Sequence, residues 1–539
     1  MNKQKSAGGC DMWTNGWRDR VWSQLDTHFD VVVIGGGITG AGILREAAQA
    51  GYKVLLVEAH DFSSGTSSRS SKLVHGGLRY LKNFQFKTTL ESVSERQNLL
   101  KHGEGLIHQL DILFASYEGD TVPAWQMGLG LVIYGIMAGK WQYARLSKKE
   151  ARDIVSCLNT SHLVAGFPYY DAQTDDARLT LRVLQEGVAR GGLAVNYTKA
   201  ISFARDTKGM VRGVIVQDQA PEQFGREAEI SADLVISATG AWADKLREKI
   251  GQPNRLRPLR GSHLVFSKER LPLPCSISIN HPKDGRPVFA FPWEGATIIG
   301  TTDIDTHGEV VQEPSISSEE AEYLLEFARF AFPRQAVSPE DVLSTWAGIR
   351  PVVNTGKANP SKESREHAIW YEDGLLTVTG GKLTTFRVMA RDTMRAAHKH
   401  LLKKLDVHRK APILSTSIVD PFELDKFSNP QTVTRLYGRY GIFTPDFIIN
   451  LDIRKSMEIT QTDYLWGELE WAAAYEGVVH LDDLLLRRTR LGLLVLNGGM
   501  DLLDEVRDKT ANNLGWDEGR WNKEAAEYKK LIQGSYQMV

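Results

Sequence analysis

Cysteine is scarce in this 539-residue chain, which has only Cys10, Cys157 and Cys275. None lies in a C-x-x-C spacing or beside a histidine motif. That excludes a disulfide framework and a cysteine zinc site, so no metal is expected, and a reducing compartment fits. An excess of either charge is missing too: 65 Lys and Arg face 66 Asp and Glu, so no global field attracts nucleic acid. No apolar run reaches the ~20 residues that span a bilayer; the longest is MGLGLVIYGIMAG, residues 127–139. Repeats and low-complexity tracts are absent. Residues 1–28 lack a signal-peptide core and are expected to form a loosely docked extension carrying Trp13, Trp17 and Trp22.

What is present is ordinary globular composition, 42% hydrophobic and 24% charged, in a chain long enough for two or three domains. FDVVVI (29–34) predicts a strand buried on both faces. Glycines follow, then the helical pattern AGILREAAQAGY and a second strand, KVLLVE. This is a right-handed βαβ unit. LVISATGAWADKL (234–246) and LLTVTGGKLTTFRVMARDTM (375–394) repeat the strand–glycine passage. Strand formers such as GSHLVF and TIIGTTDID lie between them. The expected fold is therefore α/β, with a Rossmann-type nucleotide domain over 29–409 assembled from separated segments. A β-rich substrate domain is inserted at approximately 85–165 and 255–345. After residue 410 helical periodicity takes over, predicting an all-helical C-terminal domain, 410–539. RRTR (487–490) within it is expected on a solvated helix face, with anion binding as the alternative.

Gly35-Gly36-Gly37-Ile38-Thr39-Gly40 satisfies G-x-G-x-x-G. Gly35 permits the turn, Gly37 lets backbone approach a pyrophosphate, and Gly40 lets helix pack on strand. The helix N-terminus offers N–H groups to the phosphates. Glu58 ends the next strand 18 residues after Gly40, where an acid bonds ribose hydroxyls and repels a 2′-phosphate. The fingerprint alone does not separate FAD from NAD. Small residues in ATGAWAD, around Gly240, suit the passage of a bulky cofactor. GGKLTTF, with Gly381, Lys382, Leu383 and Thr384, brings a helix N-terminus to a second electron-accepting group. A positive helix end beside a flavin stabilises the anionic reduced ring, which favours FAD.

GGGITGAG, SSKLVHGGLRYL, ATGAWAD, IIGTTD, GIRP and GGKLTTFR, in this order, resemble the FAD-dependent respiratory glycerol-3-phosphate dehydrogenases of the D-amino-acid-oxidase-like superfamily. The similarity runs from about residue 29 to the C-terminus, where LDDLLLRRTRLG resembles that family's helical-domain signature. Three departures are visible: Phe386 stands where many members have Tyr, Arg260 where Lys usually precedes G-S-H, and the N-terminal extension is longer than usual.

The resemblance implies oxidation of sn-glycerol 3-phosphate to dihydroxyacetone phosphate, with electrons passed from FAD to a quinone. It also implies peripheral attachment at the cytoplasmic face of the cell membrane, and a homodimer is compatible with it. His263 is the first candidate base, because a histidine's ordinary pKa of ~6.5 suits proton transfer at neutral pH. Arg350 would bond substrate oxygen or phosphate and stabilise alkoxide charge. Arg79 and Tyr80 match a phosphate end, with Lys382 and Arg365 as further cationic candidates. Thr66, Ser67, Ser70 and Ser71 would line the cofactor. Lys72 and Leu73 would pass beneath the flavin, and His75 and Gly76 would pack against it. The apolar run at 127–139, followed by KWQYARLSKKEAR, suits a membrane interface, though a buried helix is an equal reading. A flavin oxidase using O2 and a non-catalytic flavoprotein are the competing functions.

Overall fold

The computed structural model describes residues 12–78, 86–137, 144–308, 310–357, 363, 366–406, 412–417, 419, 424, 427, 429–452 and 454–538. Phe29–Ile34 is buried at every position, as a run without polar alternation requires, and forms the middle of an eight-stranded sheet. Val54–Val57 and then Leu193–Val195 lie parallel to it on one side. Glu227–Ser237 and then Leu375–Gly380 lie parallel to it on the other. His367–Glu372 closes that edge antiparallel. The helix Ile38–Ala50 covers one face between the helices Asp176–Val188 and Phe386–His398. It ends on Gly51 at φ 96°, the left-handed conformation that glycine adopts without a Cβ clash.

A nine-stranded sheet forms the second layer. Its long pairs are Ile107–Tyr117 with Leu163–Thr174 and Leu256–Ser267 with Val342–Val353. Both expected insert segments end inside strands, which continue to Thr174 and Val353. Strand pairing carries on through both of those positions.

Helices Pro430–Tyr440, Trp466–Tyr475, Leu503–Leu514 and Glu518–Ser535 build the C-terminal part. Leu469, Leu484, Trp521 and Tyr528 share one core with Trp293 and Trp346 of the second sheet. The arginines of RRTR are neither solvated nor open to an anion. Arg487, Arg488 and Arg490 are buried and paired with carboxylates from outside the helical part.

The N-terminal extension is not loosely docked over its described residues. Trp13, Trp17 and Trp22 are buried, Trp13 tilts against Phe62 at 5.2 Å, and Arg18 bonds Asp218 at 2.5 Å. Polar composition disguised it, because three large indoles and Val21 supply the docking surface while Asn15, Gly16, Asp19 and Arg20 face water.

Candidate active site

Parallel pairing aligns Ile34 with Ser237, and Ser237 with Thr377, so three glycine turns emerge at one end of the sheet. That end is the crevice where open α/β sheets bind ligands. A Cβ on Gly40 would lie 1.8 Å from the Gly35 carbonyl oxygen, so only glycine allows helix and turn this close. A Cβ on Gly37 would come within 3.0 Å of Ser67 Oγ. The helix Ile38–Ala50 has Gly37 as its N-cap, no side-chain cap and no acid in its first turn. Its N-terminus thus keeps a positive end for an anion. Glu58 accepts from the backbone N–H groups of Gly36 (2.6 Å) and His60 (2.9 Å). Burial pushes its carboxyl upward, and those two bonds oppose the shift. Each oxygen keeps a lone pair for a ribose hydroxyl. Glycine cradle, acid-free helix end and strand-end acid fit a dinucleotide such as FAD.

The second and third turns are tied together, since Thr379 Oγ1 donates to the Gly240 carbonyl at 2.9 Å. Gly381 has φ 71°, and a Cβ there would meet Met389 Sδ at 2.3 Å. Lys382, Leu383 and Thr384 form a turn, so the helix begins only at Phe386. The helix end therefore sits farther from the glycines than the sequence suggests.

The segment 66–77 links both sheets. Thr66 donates to the Ile349 carbonyl, and Ser67 Oγ accepts from Ile38 N–H at 2.9 Å. Ser70 donates to Asp176 at 2.7 Å, and Ser71 Oγ lies 2.8 Å from His263 Nε2. Lys72 is fully buried, with Nζ on Asp176 (2.8 Å) and on the Ser68 carbonyl (2.5 Å). Burial outweighs that pairing and lowers Lys72 to about 8. Leu73 is buried in the core shared with the helical part. Gly76 N–H donates to Asp171 at 2.8 Å, and a Cβ there would strike Tyr134 Oη.

His263 is 1% exposed and stacks on Trp346 with ring centres 4.6 Å apart. Its Nδ1 is buried and has no hydrogen-bond partner among the described residues. Burial first, then the charges of Arg350 and Lys72, hold it well below a histidine's ordinary pKa, so the ring is neutral. Arg350 sits on the paired strand, where its guanidinium bonds Asp303 (3.0 Å), Thr301 Oγ1 (2.8 Å) and the Thr302 carbonyl (3.2 Å). Gly261 makes room for it, since a Cβ there would lie 2.2 Å from Nη2. Arg79, Tyr80 and Arg365 lie outside the described residues.

Sequence reasoning missed Asp171 and Asp176. Asp171 holds His75 Nδ1 at 3.3 Å, Arg96 at 2.5 Å and Tyr134 at 2.7 Å. Burial pushes Asp171 upward, but His75, Arg96 and Tyr134 together hold it below the usual carboxylate range. Asp175-Asp176 opening a helix after a strand was the available signal, because acids there cap the helix.

The chain matches the family model described as FAD dependent oxidoreductase over residues 30–393. It matches the C-terminal domain of alpha-glycerophosphate oxidase over 397–521. It is 34% identical to an aerobic glycerol-3-phosphate dehydrogenase of Staphylococcus haemolyticus, with 94% of each chain covered. The chain belongs to the FAD-dependent oxidoreductase family, alongside the aerobic glycerol-3-phosphate dehydrogenases. An aerobic glycerol-3-phosphate dehydrogenase of Bacillus subtilis is 32% identical, covering 96% of this chain and 97% of its own. The glycerol-3-phosphate dehydrogenase of Bacillus halodurans complexed with FAD superposes with a TM-score of 0.78 at 28% identity, covering 97% and 98%. Family membership makes this chain an FAD-dependent oxidoreductase, and the cradle described above fits that cofactor.

Proposed function

We propose that the protein oxidises sn-glycerol 3-phosphate at C2 to dihydroxyacetone phosphate, with a membrane quinone as final electron acceptor. FAD, when bound, would supply the hydride-accepting and electron-relaying chemistry. Gly35, Gly37, Gly40, Glu58 and Ser67 would hold the nucleotide half, and the turns at Gly240 and Gly381 the flavin half. The observation that carries the reading is a neutral, buried His263 beside cationic Arg350, joined through Ser71 to the cofactor-lining segment. A neutral imidazole can accept the C2 hydroxyl proton. A fixed guanidinium stabilises the alkoxide as that proton leaves, in a site where buried walls exclude water. Arg79, Tyr80, Lys382 and Arg365 would supply the phosphate end, where several cations suit a dianion better than a carboxylate.

A second reading of the proton acceptor has its own support. His75 is paired with the carboxylate of Asp171 and is 39% exposed at its side chain, so it is both oriented by an acid and accessible. Separate His263→Asn and His75→Asn variants decide between the two. The true acceptor's loss removes the acidic limb of the pH–rate profile, and the other's loss leaves it in place.

For the acceptor side, one FAD-loaded sample is assayed with a quinone analogue and with O2. Turnover with the quinone well above that with O2 supports the dehydrogenase reading, and the reverse favours an oxidase. No described helix is long and apolar enough to cross a membrane. Trp125, Leu129, Ile133 and Ile136 lie exposed along one face of the helix Ala124–Met137, opposite buried Leu131 and Tyr134. Phe86 and Leu90 expose more apolar surface. This pattern supports peripheral contact with the inner membrane face, where a quinone resides.

A further inference from the structure

We propose that Arg490, from the helical C-terminal part, is a positioning residue that holds the Ser70–Ser71–Lys72 turn against His263 through the carboxylate of Asp176. The inference rests on the reading of His263 as proton acceptor.

Arg490 Nη2 lies 2.5 Å from Asp176 Oδ1 and 2.8 Å from Asp175 Oδ1, while its Nη1 donates to the Leu486 carbonyl at 2.6 Å. The guanidinium thus anchors the helical part to the first turn of the helix Asp176–Val188. Asp176 also accepts from Ala177 N–H at 3.0 Å, and its other bonds go to the cofactor-lining segment. Oδ1 accepts from Lys72 Nζ, and Oδ2 accepts from both Ser70 N–H (3.0 Å) and Ser70 Oγ (2.7 Å). Ser70 Oγ in turn accepts from Lys72 N–H at 3.0 Å. Lys72 takes φ 60°, a left-handed conformation unfavourable for a side chain with a Cβ, so surrounding bonds must impose it. Between Ser70 and Lys72 sits Ser71, whose hydroxyl meets His263 Nε2. All of Arg490, Asp175, Asp176 and Lys72 are buried, so none of these bonds competes with water.

The same carboxylate controls charge near the imidazole. Lys72 Nζ faces Asp176, the indoles of Trp346 (4.8 Å) and Trp293 (5.4 Å), and the Ser68 carbonyl. Asp175 and Arg490 complete its electrostatic surroundings. Asp175 is shared with Arg439, which also approaches Glu468 and Glu294. His263 faces Arg350 and Lys72 as its charged neighbours. Shortening Arg490 to lysine keeps one positive charge but loses the fork that grips both aspartates. Asp176 then keeps its bonds to Lys72, Ser70 and Ala177 but loses its anchor to the helical part, so Ser71 is held less firmly on His263 and the charge sensed by the imidazole changes.

The test compares FAD-loaded wild type, Arg490→Lys, Ser70→Ala and His263→Asn for pH dependence of kcat and for KM. Arg490→Lys and Ser70→Ala are both expected to lower kcat at least about tenfold, change KM less than about twofold, and move the acidic limb of kcat by about half a unit or more. A crystal structure of Arg490→Lys should show Ser71 Oγ and His263 Nε2 separated beyond about 3.5 Å. A purely structural role for Arg490 would lower thermal stability and leave the profile unmoved, which overturns the proposal. If Arg490→Lys does not fold or hold FAD, Ser70→Ala decides by the same criterion. If His263→Asn removes the limb while both other variants keep it, the positioning inference fails and the acceptor stands. If His263→Asn leaves the limb intact, the acceptor reading fails and the inference falls with it.

Discussion

Asp61→Asn should weaken the attachment of the helical part to the nucleotide domain without touching the glycine fingerprint. Asp61 lies three residues after Glu58 and accepts from Arg488 at 2.6 and 2.7 Å, from Arg487 at 2.5 Å and from Asn196 at 3.0 Å. It is fully buried, and burial alone would raise its pKa. Arg488 and Arg487 overcome that and bring it from 3.8 down to about 2. A fall of that size corresponds to roughly 2–3 kcal/mol of stabilisation. The folded pKa is depressed, so this contribution is present above the unfolded value near pH 4 and is lost as pH falls through about 2. The asparagine also leaves buried Arg488 without its bonded carboxylate, while Arg487 keeps Asp482 and Asp483, which raises the expected cost to about 3–5 kcal/mol. Thermal unfolding at pH 7, followed by tryptophan fluorescence and by release of FAD fluorescence, measures the effect. The variant should unfold earlier, and its stability should lose less than wild type's between pH 4 and pH 2. Unfolding at the wild-type temperature, with wild-type acid sensitivity, would refute the claim that RRTR clips the domains together.

Three further outcomes follow from the geometry. Gly40→Ala, whose Cβ would lie 1.8 Å from the Gly35 carbonyl, should purify with little or no FAD, read as the ratio of flavin to protein absorbance. Arg350→Met should lower kcat by about 10²–10³-fold, the usual loss when one charge-stabilising donor is removed, measured by steady-state turnover. Trp125→Glu combined with Leu129→Glu places two charges on the exposed face of the helix Ala124–Met137. This pair should weaken binding to anionic liposomes by more than about tenfold in a sedimentation assay while leaving turnover with a soluble acceptor unchanged.

The βαβ unit with its glycine turn was legible because its pattern is local. Gly35, Gly37, Gly40 and Glu58 fall within one βαβ unit, where spacing fixes geometry. The β-rich layer and the helical C-terminal part were also legible, since strand and helix periodicities differ. What sequence could not disclose was long-range pairing between charged side chains. Arg488 and Asp61 are 427 positions apart, and Arg490 and Asp176 are 314 apart. A basic cluster in isolation reads as a solvated face, and only folding supplies the carboxylates that bury it. His75 illustrates the same limit: its partner Asp171 lies 96 positions away, on a strand whose polar residues looked unremarkable. The three N-terminal tryptophans were visible, but their docking surface, Phe62 and the edge around Ala194, belongs to distant strands and turns.

The most direct test of the central claim is anaerobic mixing of the FAD-loaded protein with sn-glycerol 3-phosphate. The yellow absorbance of the oxidised flavin should bleach, and a quinone analogue added afterwards should restore it. A flavin that stays oxidised with saturating substrate would contradict that claim.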